Sequence, residues 1–329
     1  MACELCPRNC NVEREQGQRG FCGMTNEVYV ARVAPHFWEE PCLSGTNGSG
    51  TVFFSGCNLR CVYCQNQKIA AGKSGKKLSV EELAEAFRSL EREGCHNINL
   101  VTPSHYVPQI KRALQRADVK IPVVYNTSSY ECVQTLQKLE GLVDIYLADL
   151  KYLDSTLAKK YSNAADYPVT ATAAIREMVR QVGNAEYVVW NGNEEAAEPD
   201  YTELGQSGSG CERQADGSGV CKIVRNATEY PDGALLRRGV IVRHLLLPGQ
   251  TEEAKRVLRY LYETYGDTIA ISILNQYTPL PHVAAYPELC RRVTEEEYEE
   301  VVEYAVELGI GHGFLQEGQA ASESFIPEF

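Results

Sequence analysis

The sequence predicts an α/β protein: a TIM-like full or partial barrel of about six βα units, with a small Cys-rich extension at its N-terminus. Three observations point there. From residue 51 onward, short apolar runs of β type alternate with amphipathic helical stretches. The length of 329 residues suits one large α/β domain with small additions. Cys57, Asp149 and Arg243, residue types suited to chemistry, fall at or near the C-terminal ends of expected strands, where such a barrel carries its active site.

Taken in order, residues 1–50 are read as a Cys-rich extension and connecting segment, and 51–329 as the barrel core with an insertion at about 184–237. The extension holds Cys3, Cys6, Cys10 and Cys22, with Gly17, Gly20 and Gly23 supplying turns. Residues 28–33 are strand-like, and the chain to residue 50 is expected to be loosely organised. Residues 51–54 form the first apolar strand, closed by Ser55 and Gly56. Ser79 followed by Glu82 is a capping-box pattern, and Val80, Leu83, Ala84, Phe87 and Leu90 make one apolar helix face ending near Gly94. Strands follow at 97–101, 122–125 and 143–147, separated by helices at 106–117 and 129–139, with helical patches at 154–162 and 168–182. The Gly-, Ser- and Glu-rich insertion, with Cys211 and Cys221, breaks this rhythm. It resumes with a strand at 240–247, a helix at 251–264, a strand at 268–274, a Pro-rich loop and a charged helix at 294–307.

Composition excludes several classes. No run of about eighteen apolar residues is present, so no membrane span is expected. A formal charge of −12 argues against general binding to nucleic acid. The first residues have neither a basic n-region nor an apolar h-region, so a cytoplasmic location is expected, where the 13 cysteines stay reduced and serve as metal ligands or core residues.

The most informative stretch runs from Ser55 to Asn66. Cys57, Cys61 and Cys64 stand at a C-x3-C-x2-C spacing. Three soft thiolates on one tight loop can hold three corners of a [4Fe–4S] cube, leaving one iron open. A structural zinc needs four ligands, and residues 65–94 contain no Cys or His. Cys3, Cys6, Cys10 and Cys22 are enough to close a second metal site, with zinc and Fe–S both open. Of the six histidines only His105, just past a strand end, is placed to line a site; a structural role is expected for all.

The Cys57–Cys64 spacing, with Tyr63 directly before the last thiol, resembles the radical S-adenosylmethionine (radical SAM) superfamily. Further segments resemble the pyruvate formate-lyase activating enzyme and, more closely, the PflX group of activating-enzyme-like proteins. They are 6–10 (CPRNC), 97–106 (NINLVTPSHY), 144–152 (DIYLADLKY) and 242–249 (VRHLLLPG). The resemblance implies a barrel of the radical SAM type, a [4Fe–4S] cluster on Cys57, Cys61 and Cys64, and SAM bound at its open iron. It also implies cofactor contacts from Tyr63, from Thr102 and Pro103, from Asn126, Thr127 and Ser128, and from Asp149, Lys151 and Arg243. Activating enzymes have Gly-Gly-Glu near 101–104 and Asp-Thr-Asn where this chain has Asn126-Thr127-Ser128. The implied chemistry is reductive cleavage of SAM to a 5′-deoxyadenosyl radical that takes hydrogen from a protein substrate, with an electron donor such as flavodoxin or ferredoxin. Two alternatives stay open: radical modification of a small molecule or peptide with an auxiliary N-terminal metal site, and a non-enzymatic Fe–S redox or sensing module.

Overall fold

The computed structural model describes residues 2–72, 74–191, 220–225 and 233–316. The chain opens with turns over the four N-terminal cysteines, then enters β1 (Val28–His36), α1 (Pro41–Ser44) and β2 (Ser49–Phe54). After the Cys57–Cys64 loop come α2 (Gln67–Ala70), β3 (Lys76–Leu78) and α3 (Val80–Arg92). Next are β4 (Ile98–Val101), α4 (Val107–Ala117), β5 (Val123–Thr127), α5 (Val133–Leu136) and β6 (Ile145–Asp149). The remaining elements are α6 (Ser155–Ser162), α7 (Tyr167–Val182), β7 (Glu186–Asn191), β8 (Val220–Arg225) and β9 (Leu235–Leu245). Then come α8 (Thr251–Tyr265), β10 (Ala270–Leu274), α9 (Glu295–Leu308) and β11 (Gly313–Leu315).

The expected α/β architecture is present. β2, β4, β5, β6, β9, β10 and β11 pair in parallel in that order, each crossover carrying at least one helix. All seven of these strands contribute residues to one cavity, so the sheet curls around it. The path ends at β11 on one side and at β1 and β3 on the other, and these ends are not paired with each other among the described residues. No helix of the described residues is long and apolar enough to cross a membrane.

Local sequence explains the best-formed helices. Ser79 accepts from the Glu82 amide at 3.1 Å while Glu82 accepts from the Ser79 amide at 2.8 Å, closing the capping box of α3. Such a cap is worth about 1 kcal/mol. Leu83, Ala84, Phe87 and Leu90 then bury fully against the sheet.

Three stretches differ from expectation. The strand expected at 28–33 runs on to His36, within the stretch expected to be loose: β1 pairs antiparallel with β2, with Val33 opposite Val52, and covers its outer edge. The expected 129–139 helix shrinks to α5 plus a 3-10 turn, because Ser129 takes a left-handed φ of 64° and Glu131 turns into the core. Within the 184–237 insertion, β7 pairs antiparallel with β8 and with the start of β9, while Cys211 and the side chain of Cys221 lie outside the described residues.

The inside of the curled sheet is closed from below. Cys42 and Leu43 of α1 pack with Val124, Ile145, Leu147 and Ile241 in a second apolar cluster, separate from the one under the helices. This short helix is a plug. The residues just before it, Glu39 and Glu40, are thereby carried up into the cavity.

Candidate active site

The cavity has a volume of about 740 Å³ and contains Cys57, Cys61 and Cys64 together with the strand-end residues Asn126, Asp149 and Arg243. Gly56 sets the loop's direction. Its φ is 91°, and a Cβ there would lie 2.3 Å from Met24 Cγ and 2.9 Å from the Cys22 carbonyl, so only glycine fits. The loop is then tied down on several sides. Asn58 Nδ2 donates to the Tyr130 carbonyl at 2.7 Å, and the Val62 amide to the Tyr161 carbonyl at 2.8 Å. Cys61 Sγ lies 2.9 Å from Ser162 Oγ, and Tyr63 OH accepts from Tyr152 OH at 2.7 Å.

Burial pushes the Cys64 thiol up to about 12, with the charges of Cys57 and Cys61 adding to it. Burial likewise raises Cys61, against the pull of Lys151. The Cys61 and Cys64 thiolates are therefore favoured here only beside added positive charge. That is what a soft metal centre supplies.

Opposite the thiols lies an ionic network. Asp149 accepts from Lys151 Nζ at 2.7 Å and from Arg243 Nε at 2.9 Å. Arg243 also reaches Glu39 Oε2 at 3.1 Å and Asn126 Oδ1 at 2.8 Å, so all three arms of its fork are used. Burial works against the charge on Asp149, but Lys151 and Arg243 outweigh it and hold the carboxyl below its ordinary value. Lys151 is raised in turn: burial opposes its charge and Asp149 overcomes that. Burial raises both Glu39 and Glu40 despite the nearby Arg243. Three carboxyl groups thus face two cations.

Of the residues expected to contact cofactor, Tyr63, Thr102, Asn126, Thr127, Ser128, Asp149, Lys151 and Arg243 all line the cavity. Pro103 does not, and its carbonyl already accepts the Tyr106 amide. Thr127 Oγ1 is committed to Glu131 Oε1 at 2.6 Å. His105 is turned away: its Nε2 lies 2.7 Å from the Ser55 carbonyl, and burial lowers its pKa to about 3. Cys3, Cys6, Cys10 and Cys22 lie outside the cavity, behind the Cys57–Cys64 loop. Among the described residues, no three His, Cys, Asp or Glu side chains are gathered closely enough to hold a single metal ion.

Sequence reasoning missed Glu39 and Glu40. No periodicity marks them. Glu39 Oε1 accepts from Asn126 Nδ2 at 3.3 Å and from Asn99 Nδ2 at 3.1 Å.

Residues 51–204 match the family model described as the radical SAM superfamily. That span, a little under half of the chain, is similar to radical SAM proteins. The matched span includes the three-thiol loop, Asn126, Asp149 and Lys151 and leaves out the N-terminal cysteines, Glu39 and Arg243. An uncharacterised protein of Methanocaldococcus jannaschii is 26% identical over 312 residues, 92% of this chain and 74% of that one. Similar solved structures include Streptococcus suis SuiB bound to S-adenosylmethionine, at 12% identity over 80% of this chain and 49% of that one, with a TM-score of 0.48. SuiB bound to precursor peptide SuiA gives 12%, 80% and 47% with 0.47, and methylornithine synthase 12%, 80% and 72% with 0.44. The chain spans about half the length of SuiB.

The radical SAM family implies a [4Fe–4S] cluster and bound SAM, and the residues present fit both. Three thiols share one cavity, and no other cysteine lines it among the described residues. Asn66 Oδ1, just after the last thiol, and Glu40 Oε2 are buried acceptors without a protein partner, as a cationic, amine-bearing cofactor would require.

Proposed function

We propose that this protein is a radical SAM enzyme that cleaves S-adenosylmethionine reductively and abstracts hydrogen from a protein substrate, in the manner of glycyl radical enzyme activation. The observation that carries the reading is the meeting of Cys57, Cys61 and Cys64 with the Asp149–Lys151–Arg243 network in one cavity. Cys57, Cys61 and Cys64 would hold a [4Fe–4S] cluster, which would supply the electron, from a donor such as flavodoxin or ferredoxin, for reductive cleavage of SAM.

The chain's own residues position and shield. Arg243 and Lys151 offer charged N–H groups to a carboxylate, and Asp149 holds both in place from behind. Glu39, Glu40 and Asn66 offer acceptors to an ammonium group, and the surplus carboxyl of the network favours a cofactor with net positive charge. The α1 plug keeps water from entering below.

Phe37 and Trp38, 53% and 60% exposed, stand at the cavity's edge with Leu315, an apolar rim of the kind that receives a polypeptide. The volume also suits a small molecule, which is the second reading.

The test uses anaerobic, dithionite-reduced protein. 5′-Deoxyadenosine should form from SAM, and a glycine-deuterated glycyl radical enzyme should pass deuterium into it. Full iron without 5′-deoxyadenosine would defeat the enzyme reading. Deuterium arriving from a small molecule instead of the protein would replace the substrate reading.

A further inference from the structure

Behind the cluster loop, the first 23 residues fold back on themselves and carry a second set of four thiols. Asn9 and Asn11 adopt left-handed φ values of 41° and 53°, which fold the chain back so that the Cys3 amide meets the Val12 carbonyl at 3.0 Å. Cys10 Sγ accepts the Phe21 amide at 3.2 Å. The Asn11 amide meets the Cys3 carbonyl at 3.3 Å, the Asn9 amide meets the Cys6 carbonyl at 3.1 Å, and Phe21, beside Cys22, bonds Cys10, so short contacts tie all four thiol-bearing segments together. Cys6 and Cys22 are buried, and all four are free of disulfides.

Between the second and third thiols stands Arg8. Its Nε donates to the Asn58 carbonyl, inside the cluster loop, at 2.7 Å. Nη1 and Nη2 reach the Asn163 and Ser162 carbonyls, at 2.6 and 3.4 Å, at the end of α6 beside Cys61. The guanidinium lies 4.0 Å from the centre of the Phe21 ring, next to Cys22, so the knob holds Arg8 from both of its halves.

We propose that Cys3, Cys6, Cys10 and Cys22 bind a thiophilic metal centre as four thiolates, and that Arg8, a positioning residue, transmits occupancy of that centre to the Cys57–Cys64 loop. Binding releases the thiol protons and closes the knob around Arg8. Zinc and a second Fe–S cluster share this chemistry, and the measurement separates them. Only the destination of the coupling rests on the proposed function; the knob's metal does not.

The first measurement is metal content of full-length protein purified anaerobically, with Cys57, Cys61 and Cys64 all changed to Ser. One zinc per chain or about four irons should remain, and adding Cys6→Ser should remove it, while Cys290→Ser, outside both sites, should not. A triple variant with no bound metal and four readily alkylated N-terminal thiols overturns the site. The second is the alkylation rate of Cys61, read by mass spectrometry, in a Cys57→Ser background. Arg8→Ala and Arg8→Lys should each raise it several-fold with the knob's metal retained, as should Cys6→Ser with that metal lost. An unchanged rate in all three overturns the coupling. Loss of SAM cleavage has no bearing on either result, so the two readings fail separately.

Discussion

Two sets of cysteines lie back to back in this molecule, and they are built differently. Cys57, Cys61 and Cys64 open onto a cavity with charged walls, whereas Cys3, Cys6, Cys10 and Cys22 lie behind the loop and out of that cavity. Three donors leave a coordination position for an incoming ligand; four leave none. On the reading proposed above, cysteine number and access to the cavity together, more than spacing alone, would separate a reactive centre from a holding one.

The largest test of that contrast is removal of one ligand from each set. Cys61→Ala should reduce 5′-deoxyadenosine to background, whereas Cys10→Ala should lower it and leave measurable uncoupled cleavage. Equal loss in both would break the contrast. Next comes Arg243→Ala, which leaves Asp149 and Glu39 buried without their shared cation. It should cost about 3–5 kcal/mol in urea unfolding and weaken SAM binding, measured by calorimetry, with no loss of metal from the N-terminal set.

Glu131 sits between the two regions, bonded to Thr127 on one side and felt by Cys6 on the other. Burial raises its carboxyl from 4.5 to about 7, against the hydrogen bonds from Ser104 and Thr127. The folded state therefore holds this proton more tightly than the unfolded chain. Its stabilising contribution is complete below pH 4.5 and is lost as pH rises through about 7, a change of up to about 3 kcal/mol. Glu131→Gln should flatten that part of the stability profile between pH 5 and pH 8. An unaltered slope would show the carboxyl to be solvated.

The smallest effect is expected at the junction itself. Gly56→Ala places a methyl group against Met24 and the Cys22 carbonyl at a left-handed φ. About 1–3 kcal/mol of strain should appear as a lower unfolding midpoint, and iron should be lost at the cluster loop before the N-terminal metal.

Much of this was legible in the chain. The capping box of α3 and the strand before Cys57 follow from local pattern and the Asp149–Lys151 pair from the family resemblance, and each stands within a residue or two of its expected place. What was hidden depends on tertiary contact. Glu39 and Glu40 reach the cavity only because Cys42 and Leu43 plug the sheet beneath them. β7 joins the sheet through pairing with β9 that no short-range signal announces. The expected helix at 129–139 yields most of its first turn to the burial of Glu131.

The plug has a further consequence. Because the acidic pair arrives on a segment that precedes the first crossover, two of the chamber's three carboxyl groups come from outside the repeating scaffold. Rewriting that short insert retunes which cations the chamber welcomes while every strand and crossover helix stays as it is, a natural point for relatives to diverge in what they accept.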